Sequence, residues 1–174
     1  MIRAVLAGLL AALVIVGGAG LAQGDTGAHD YPEARSYQPS DDAASEVEAA
    51  LARAAASGKR VLLVMGANWC HDSRALAGWL ETERFARLIE REYRLIFVNI
   101  GMPQSGDGHD LALAARFGLD DLPGTPNLLV LTADGELVNG ATATTWRNAA
   151  SREGDAIYDE LVRLSEAPVS EEVG

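Results

Sequence analysis

The one cysteine of the 174-residue chain is the residue best suited to chemistry. Cys70 lies in the sequence Trp69-Cys70-His71-Asp72-Ser73. A cysteine thiolate is a strong nucleophile that attacks disulfides. Since a chain with one cysteine cannot form an internal disulfide, Cys70 is an inert core residue, one half of an intermolecular bridge or a reactive thiol. The surrounding sequence must distinguish these three roles.

The residues around Cys70 predict a strand before it and a helix after it. Residues 60–65 (RVLLVM) form a continuous apolar run, typical of a strand buried on both faces. From His71 onward the apolar positions have helical spacing, so Cys70 should stand at a helix N-terminus. Unpaired amides and the helix dipole stabilise a thiolate there. A protonated His71 would add to this effect, whereas the carboxylate of Asp72 would oppose it.

The rest of the chain predicts an α/β domain with the element order α-β-α-β-α-β-β-α. A surface helix capped by Ser40 precedes the first strand, and residues 93–100 and 127–132 are apolar runs that predict two more strands. Ala-Asp-Gly at 133–135 predicts a hairpin to a fourth strand over residues 136–138. Helices between the first three strands imply parallel pairing, so we expect a mixed sheet of about four strands with helices on both faces. The helices after the first strand are predicted over residues 71–89, 111–117 and 155–164.

This arrangement resembles the active-site turn of the thioredoxin superfamily. A buried strand ends in Ala-Asn-Trp-Cys-His-Asp-Ser before a helix, and further along Gly124-Thr125-Pro126 precedes another strand. The resemblance covers residues 43–166 and implies a thioredoxin-like fold in which Pro126 is a cis-proline facing Cys70. It also implies that Trp69 contacts partners and that Thr125 and Pro126 offer a backbone edge on which an extended peptide can add.

Two positions depart from the family pattern. Dithiol members carry a second cysteine three residues after the attacking one, and this chain has Ser73 there. A hydroxyl can hydrogen-bond the Cys70 thiolate, but it cannot expel a bound partner. Val64 stands where thioredoxins carry a buried acid. The resemblance therefore implies a monothiol site with Cys70, Ser73, Trp69 and His71 as its catalytic residues, which can capture a substrate but cannot form an internal disulfide.

Three functions are compatible with such a site. The first is thiol–disulfide exchange or mixed-disulfide capture of partner proteins through Cys70, an isomerase-like activity that needs one thiol. The second is a redox-inactive module that binds peptides or proteins, with Trp69, Trp146 and the proline loop as its contact surface. The third is copper handling, because Cys70 and His71 are adjacent. One cysteine and three scattered histidines give no ligand spacing for a metal site, so we expect no metal and no cofactor.

Charge and the N-terminal residues indicate where the protein works. A net charge of −11 argues against nucleic acid as a partner. Residues 1–22 join a short positive start to a long uncharged apolar run, which predicts an export signal. Residues 23–40 are predicted as a flexible leader, 41–166 as the thioredoxin-like domain and 167–174 as an acidic tail. We expect an exported protein of the bacterial periplasm, or one anchored in the membrane and facing the periplasm if the signal stays uncut.

The expected partners are proteins or peptides that carry thiols or disulfides, and we expect a monomer or a dimer linked through Cys70. Membrane contact is expected only through an uncut N-terminal segment. His109 lies in a polar loop and is interpreted as a loop or helix-start side chain. The polar segment 142–148 (TATTWRN) receives no role. Four large aromatic residues beside apolar positions are interpreted as packing groups: Trp79, Tyr93, Trp146 and Tyr158.

Overall fold

The computed structural model describes residues 31–169 of the chain. The predicted signal over residues 1–22, the first part of the predicted leader and residues 170–174 of the predicted tail lie outside the described residues. The elements of the described part are, in chain order, α1 Ala43–Ser57, β1 Arg60–Gly66, α2 His71–Glu81, α3 Glu83–Glu92, β2 Tyr93–Asn99, β3 Gly101–Met102, β4 Asp107–Gly108, α4 Ala112–Arg116, β5 Asn127–Leu131 and α5 Gly154–Glu166, with short 3-10 turns at Pro103–Ser105 and Ala149–Ser151.

Strand β1 is the centre of a three-stranded sheet with the order β2-β1-β5. It pairs in parallel with β2, so that Gly66 lies opposite Asn99, and antiparallel with β5, so that Met65 lies opposite Asn127. The side chains of residues 61–65 are fully buried, which explains the continuous apolar run in the sequence. The predicted mixed sheet is thus confirmed.

Alternate side chains of β1 enter two hydrophobic cores on opposite faces of the sheet. Leu62 and Val64 pack with residues of α2, α3 and α5. Val61, Leu63 and Met65 pack with residues of α1 and α4. Helices therefore cover both faces, as the sequence predicts. Because β1 is covered on both faces, its C-terminal end is firmly held, and this end leads directly to Cys70.

The fourth strand expected over residues 136–138 is reduced to a single bridge between Leu131 and Leu137. Gly135, with φ of +86°, makes the expected turn. Beyond the bridge, the side chain of Asn139 pairs with the edge of β5: its Oδ1 accepts from Val130 N at 2.8 Å, and its Nδ2 donates to Leu128 O at 2.9 Å. At this edge, side-chain hydrogen bonds of Asn139 thus lie between two backbone bonds, from Val138 N to Val130 O at 2.8 Å and from Leu128 N to Ala143 O at 2.9 Å. A separate small sheet is formed by β3 and β4.

The second half of the expected flexible leader is packed against the domain. Residues 31–38, here called the N-terminal strap, run along α2, and the backbone nitrogen of Ala34 donates to Arg74 O at 3.0 Å. Tyr37 is fully buried and packs edge-on against Phe97. The expectation of flexibility is therefore wrong for residues 31–38, because one large apolar side chain in this polar segment fills a gap in the core.

The start of α1 also differs from the sequence-based expectation. Asp42, rather than Ser40, is the cap, and its carboxylate accepts from Ser45 N at 3.0 Å. The hydroxyl of Ser40 instead donates to Glu46 at 2.8 Å. Within residues 31–169, no helix is long and apolar enough to cross a membrane.

Candidate active site

Cys70 stands at the junction between the central strand and helix α2. It is the N-cap residue of α2, and its backbone nitrogen donates to Ala67 O at 3.1 Å. The residue is only 8% exposed. Its thiol donates to the backbone carbonyl of Thr125 at 3.5 Å. The sulfur therefore lies beside the free amides of a helix N-terminus and faces the loop before β5.

The loop opposite Cys70 contains a cis peptide bond between Thr125 and Pro126. Asn127 holds this loop, since its Nδ2 donates to Gly124 O at 2.8 Å. Both Thr125 and Pro126 are buried. The structure thus brings Cys70, Thr125 and Pro126 together, in the arrangement that the family resemblance implies. Within residues 31–169, the hydroxyl of Thr125 and the Oδ1 of Asn127 are buried without a hydrogen-bond partner.

Ser73, which replaces the second cysteine of dithiol proteins, is fully buried. Its hydroxyl accepts from Ala67 N at 3.3 Å. Within the described part of the chain, no hydrogen bond joins this hydroxyl to Cys70, whose thiol is directed to Thr125. The hydrogen bond that a hydroxyl at this position can give to a thiolate is not formed while Cys70 is a thiol, and Ser73 braces the turn that carries Cys70.

Trp69 is the most exposed of the predicted site residues with an apolar side chain. It is 48% exposed, and its indole N–H donates to Gly101 O at 3.0 Å, which fixes the ring against β3. Met102, the next residue in β3, is 40% exposed. We call these two side chains the Trp69–Met102 patch. No motif in the sequence indicates Met102, because only the fold places β3 beside the turn of Cys70.

His71 and Asp72 follow Cys70 in the first turn of α2. The His71 side chain is exposed, and its Nε2 lies 3.3 Å from Asp72 Oδ2. Asp72 is buried, and its Oδ1 accepts from Ala150 N at 2.9 Å. The carboxylate expected to oppose a thiolate is thus engaged on both oxygens, and it ties α2 to the 3-10 turn before α5.

The N-terminal strap adds residues to the site that the sequence did not indicate. Tyr37 exchanges two hydrogen bonds with the Asn68 side chain, with Tyr37 N donating to Oδ1 at 3.2 Å and Nδ2 donating to Tyr37 O at 2.9 Å. The Tyr37 hydroxyl donates to Ser73 O at 3.2 Å. Burial, with a smaller contribution from nearby Cys70, raises the pKa of this hydroxyl well above its usual range.

Arg74 completes the support of the turn. Its guanidinium forms an ion pair with Glu33 of the strap at 2.9 Å. The same group donates to the carbonyls of Asn68 and Trp69, each at 3.2 Å. The turn that carries Cys70 is therefore held by the strap on one side and by α2 on the other.

Two other residues considered from the sequence lie elsewhere. Trp146 is fully buried in the core, which confirms its packing role and removes it from the expected contact surface. His109 pairs with Asp110 at 2.9 Å and lies over Gly101. Within residues 31–169, no group of three or more His, Cys, Asp or Glu side chains could hold a metal ion.

Comparisons with known proteins agree with this geometry. The sequence model of a thioredoxin-like family matches residues 42–133. The structure resembles the crystal structure of a disulphide isomerase from Xylella fastidiosa Temecula1, with a TM-score of 0.67 and 30% sequence identity, covering 75% of this chain and 96% of that chain. No match was found among curated proteins. Because the family model spans more than half of the sequence and the solved relative is covered almost completely, the chain belongs to the thioredoxin-like family.

Proposed function

We propose that this chain is an exported protein that carries out thiol–disulfide exchange through Cys70, by capturing partner proteins as mixed disulfides. The observation that carries the proposal is the position of the Cys70 sulfur, at the N-cap of α2 and 3.5 Å from Thr125 O in the cis-proline loop. The similarity to a disulphide isomerase supports exchange chemistry at this position. We further propose that the protein works in the periplasm, free or anchored by its N-terminal segment.

The reaction begins with loss of the Cys70 proton. The resulting thiolate is stabilised by the free amides at the N-terminus of α2. It attacks one sulfur of a substrate disulfide, so that a bond forms between Cys70 and that sulfur while the substrate S–S bond breaks. The second substrate sulfur leaves as a thiolate, which takes up a proton. No electrons are gained or lost overall.

Release of the substrate requires a thiol from outside the chain, because Ser73 cannot attack the mixed disulfide. When the attacking group is another cysteine thiolate of the same substrate, a rearranged substrate disulfide forms and Cys70 leaves as a thiolate. This cycle is an isomerisation and consumes no oxidant or reductant. One thiol is therefore sufficient for the proposed reaction.

The surroundings of the sulfur have features that suit peptide binding. In the free thiol state, Thr125 O accepts a hydrogen bond from the Cys70 thiol. Once the sulfur is a thiolate or part of a mixed disulfide, this carbonyl becomes available to a backbone N–H of an extended substrate. The Trp69–Met102 patch offers apolar area for a neighbouring substrate side chain.

A second candidate function is a binding module without redox turnover. The low exposure of Cys70 beside the exposed Trp69–Met102 patch favours this alternative, because the patch can bind a partner without help from the sulfur. The two functions differ in their dependence on the thiol. Binding that survives Cys70→Ser but is lost in Trp69→Ala would favour the module.

Trapping tests the exchange reaction directly. Cells producing the tagged protein are quenched with acid and alkylated, and their proteins are separated without reductant. We expect larger tagged species that disappear on reduction and are missing from Cys70→Ser cells. With purified protein, we expect wild type to reactivate ribonuclease with scrambled disulfides in the absence of added oxidant. Absence of both the adducts and the reactivation would contradict the proposal.

Restoring a second thiol gives a sharper test. Ser73→Cys places a resolving thiol three residues after Cys70, so we expect an internal disulfide and about tenfold fewer trapped adducts. Ser73→Ala is the matched control, since it also loses the bond to Ala67 N but adds no thiol. Adducts that persist in Ser73→Cys at the level of Ser73→Ala would show that capture does not occur at this site.

A further inference from the structure

Arg147 is an exposed arginine with no ion pair or hydrogen bond to any residue from 31 to 169. Most ion pairs of the described part of the chain involve arginine, for example Arg74 with Glu33, Arg116 with Glu48 and Arg152 with Glu160. Arg147 lies in the polar segment 142–148, which received no role from the sequence. Within the same residues, the side chains of Arg53 on α1 and Arg94 on β2 also lack such a partner, so what distinguishes Arg147 is its position.

The side chain of Arg147 lies on the proline loop. A Cβ atom added to Gly124 would be 3.0 Å from Arg147 Cδ, so the aliphatic part of the arginine covers this glycine. Gly124 immediately precedes Thr125, whose carbonyl accepts a hydrogen bond from the Cys70 thiol. The base of Arg147 is anchored, because the preceding Trp146 is fully buried. The fold thus holds a cation beside the proline loop that faces Cys70.

The segments next to Cys70 differ in chemistry. The Trp69–Met102 patch is apolar, whereas the Arg147 guanidinium lies beside the proline loop. The carboxylate next to Cys70 in sequence order, that of Asp72, is already engaged with Ala150 N and His71. A guanidinium binds carboxylates with paired hydrogen bonds and stays charged at all relevant pH values.

We infer that Arg147 binds a carboxylate of the disulfide-bearing substrate while Cys70 attacks the disulfide. The inference rests on the proposed exchange reaction and adds a preference for substrates with an acidic group close to the reacting sulfur. The net charge of −11 does not cancel this preference, because distant charges are screened over about 8 Å at physiological salt. A substrate carboxylate bound directly to the Arg147 guanidinium lies well within this screening length.

The test uses two short peptides activated as 2-pyridyl disulfides. In one peptide the cysteine is flanked on both sides by Glu, and in the other by the isosteric Gln. Attack by Cys70 forms a bond to the peptide sulfur, breaks the peptide–pyridyl disulfide and releases neutral thiopyridone, whose absorbance gives the rate. We expect wild type to react about two to five times faster with the Glu peptide, as for an exposed ion pair, and the preference to shrink at high salt.

Arg147→Gln should remove the preference, and Arg147→Lys should keep part of it. Arg53→Gln is the matched control, because it changes the net charge by the same amount. Arg53 is an exposed residue of α1, and this helix packs on the face of the sheet opposite to the core that contains Trp146. Circular dichroism checks that each variant is folded. Glutathione disulfide, which also carries carboxylates, provides a further comparison. If Arg147→Gln slows the reaction of Cys70 with glutathione disulfide but not with the Glu peptide, the bound carboxylate belongs to a small-molecule disulfide rather than a peptide.

The outcomes separate the inference from the proposed function. If Arg147→Gln leaves the reaction with glutathione disulfide unchanged, then equal rates with the two peptides, or a peptide preference that survives the substitution, overturn the role of Arg147 and leave exchange at Cys70 intact. No thiopyridone release with any substrate contradicts the exchange reaction, and the role of Arg147 with it. A preference lost in Arg147→Gln and kept in Arg53→Gln supports the inference.

Discussion

Two tyrosine hydroxyls are buried against backbone carbonyls, one beside the active site and one away from it. Tyr37 donates to Ser73 O at 3.2 Å, and Tyr93 donates to Leu161 O at 2.6 Å. Burial raises the pKa of both hydroxyls well above the usual range. In both residues the neutral form is therefore the one that fits the folded chain.

We predict that the free energy of unfolding falls as the pH rises above about 10. Above this pH the unfolded chain releases protons from Tyr37 and Tyr93, whereas the folded chain keeps them. Each tyrosine should contribute a loss of up to about 1.4 kcal/mol per pH unit. Urea unfolding of wild type, Tyr37→Phe and Tyr93→Phe over this range measures the slope. Each variant should have a shallower slope, and slopes equal to that of wild type would contradict the prediction.

The residue types in and around two short motifs indicated which side chains the fold brings close to Cys70. Trp69, Cys70, Thr125 and Pro126 could be named from the sequence, because their motifs are short and local. The hydrogen-bond partners of the side chains could not be predicted. The bond from Ala150 N to Asp72, for example, joins residues far apart in the chain. Local sequence indicates which residues are close to the sulfur, and tertiary contacts decide what each of them bonds.

At the scale of elements, the main departure from the sequence-based expectation is the N-terminal strap on helix α2. The backbone of Pro32 lies so close to Gly78 that an added Cβ would be 2.2 Å from the Pro32 carbonyl oxygen. Glycine in a helix normally lowers stability by about 1 kcal/mol relative to alanine. Gly78 is therefore explained by the close approach of the strap rather than by the helix.

We predict that Gly78→Ala displaces the strap and destabilises the protein by about 1–3 kcal/mol despite the better helix propensity of alanine. Because the strap carries Tyr37, which supports the turn at Ser73, alkylation of Cys70 should also become faster. Denaturant unfolding and alkylation rates measure the two effects.

Gly140→Ala is the matched control for this change. A Cβ at this position would meet only Leu137 Cδ2 at 3.6 Å, an ordinary contact. Its stability and alkylation rate should stay close to those of wild type. If Gly78→Ala proves as stable as Gly140→Ala, the strap does not pack as described.

At the scale of the whole molecule, one cysteine is carried by a chain with a net charge of −11. Two copies must meet at their Cys70 sulfurs to form a disulfide-linked dimer, and each Cys70 residue is only 8% exposed. Like charges repel over about 30 Å in dilute buffer but over about 8 Å at physiological salt. Electrostatic repulsion should therefore limit the dimer at low salt.

We predict that mild oxidation yields the Cys70-linked dimer several times faster at physiological salt than in dilute buffer. Non-reducing gels measure the yield over time. Cys70→Ser should give no dimer under either condition. A dimerisation rate that does not change with salt would show that access to the buried sulfur, rather than charge, limits the reaction.

The sequence by itself determined the class of the fold, the central strand, the helix that starts at Cys70 and the proline loop. These features depend on apolar periodicity and short motifs within a few residues of each other. Tertiary structure alone decided that residues 31–38 pack on α2, that the Asn139 side chain bonds the edge of β5 and that Arg147 lies over Gly124. The physical reason is that each of these contacts fills a space or pairs a polar group that folding leaves open. Such spaces and groups arise only when segments distant in the sequence come together.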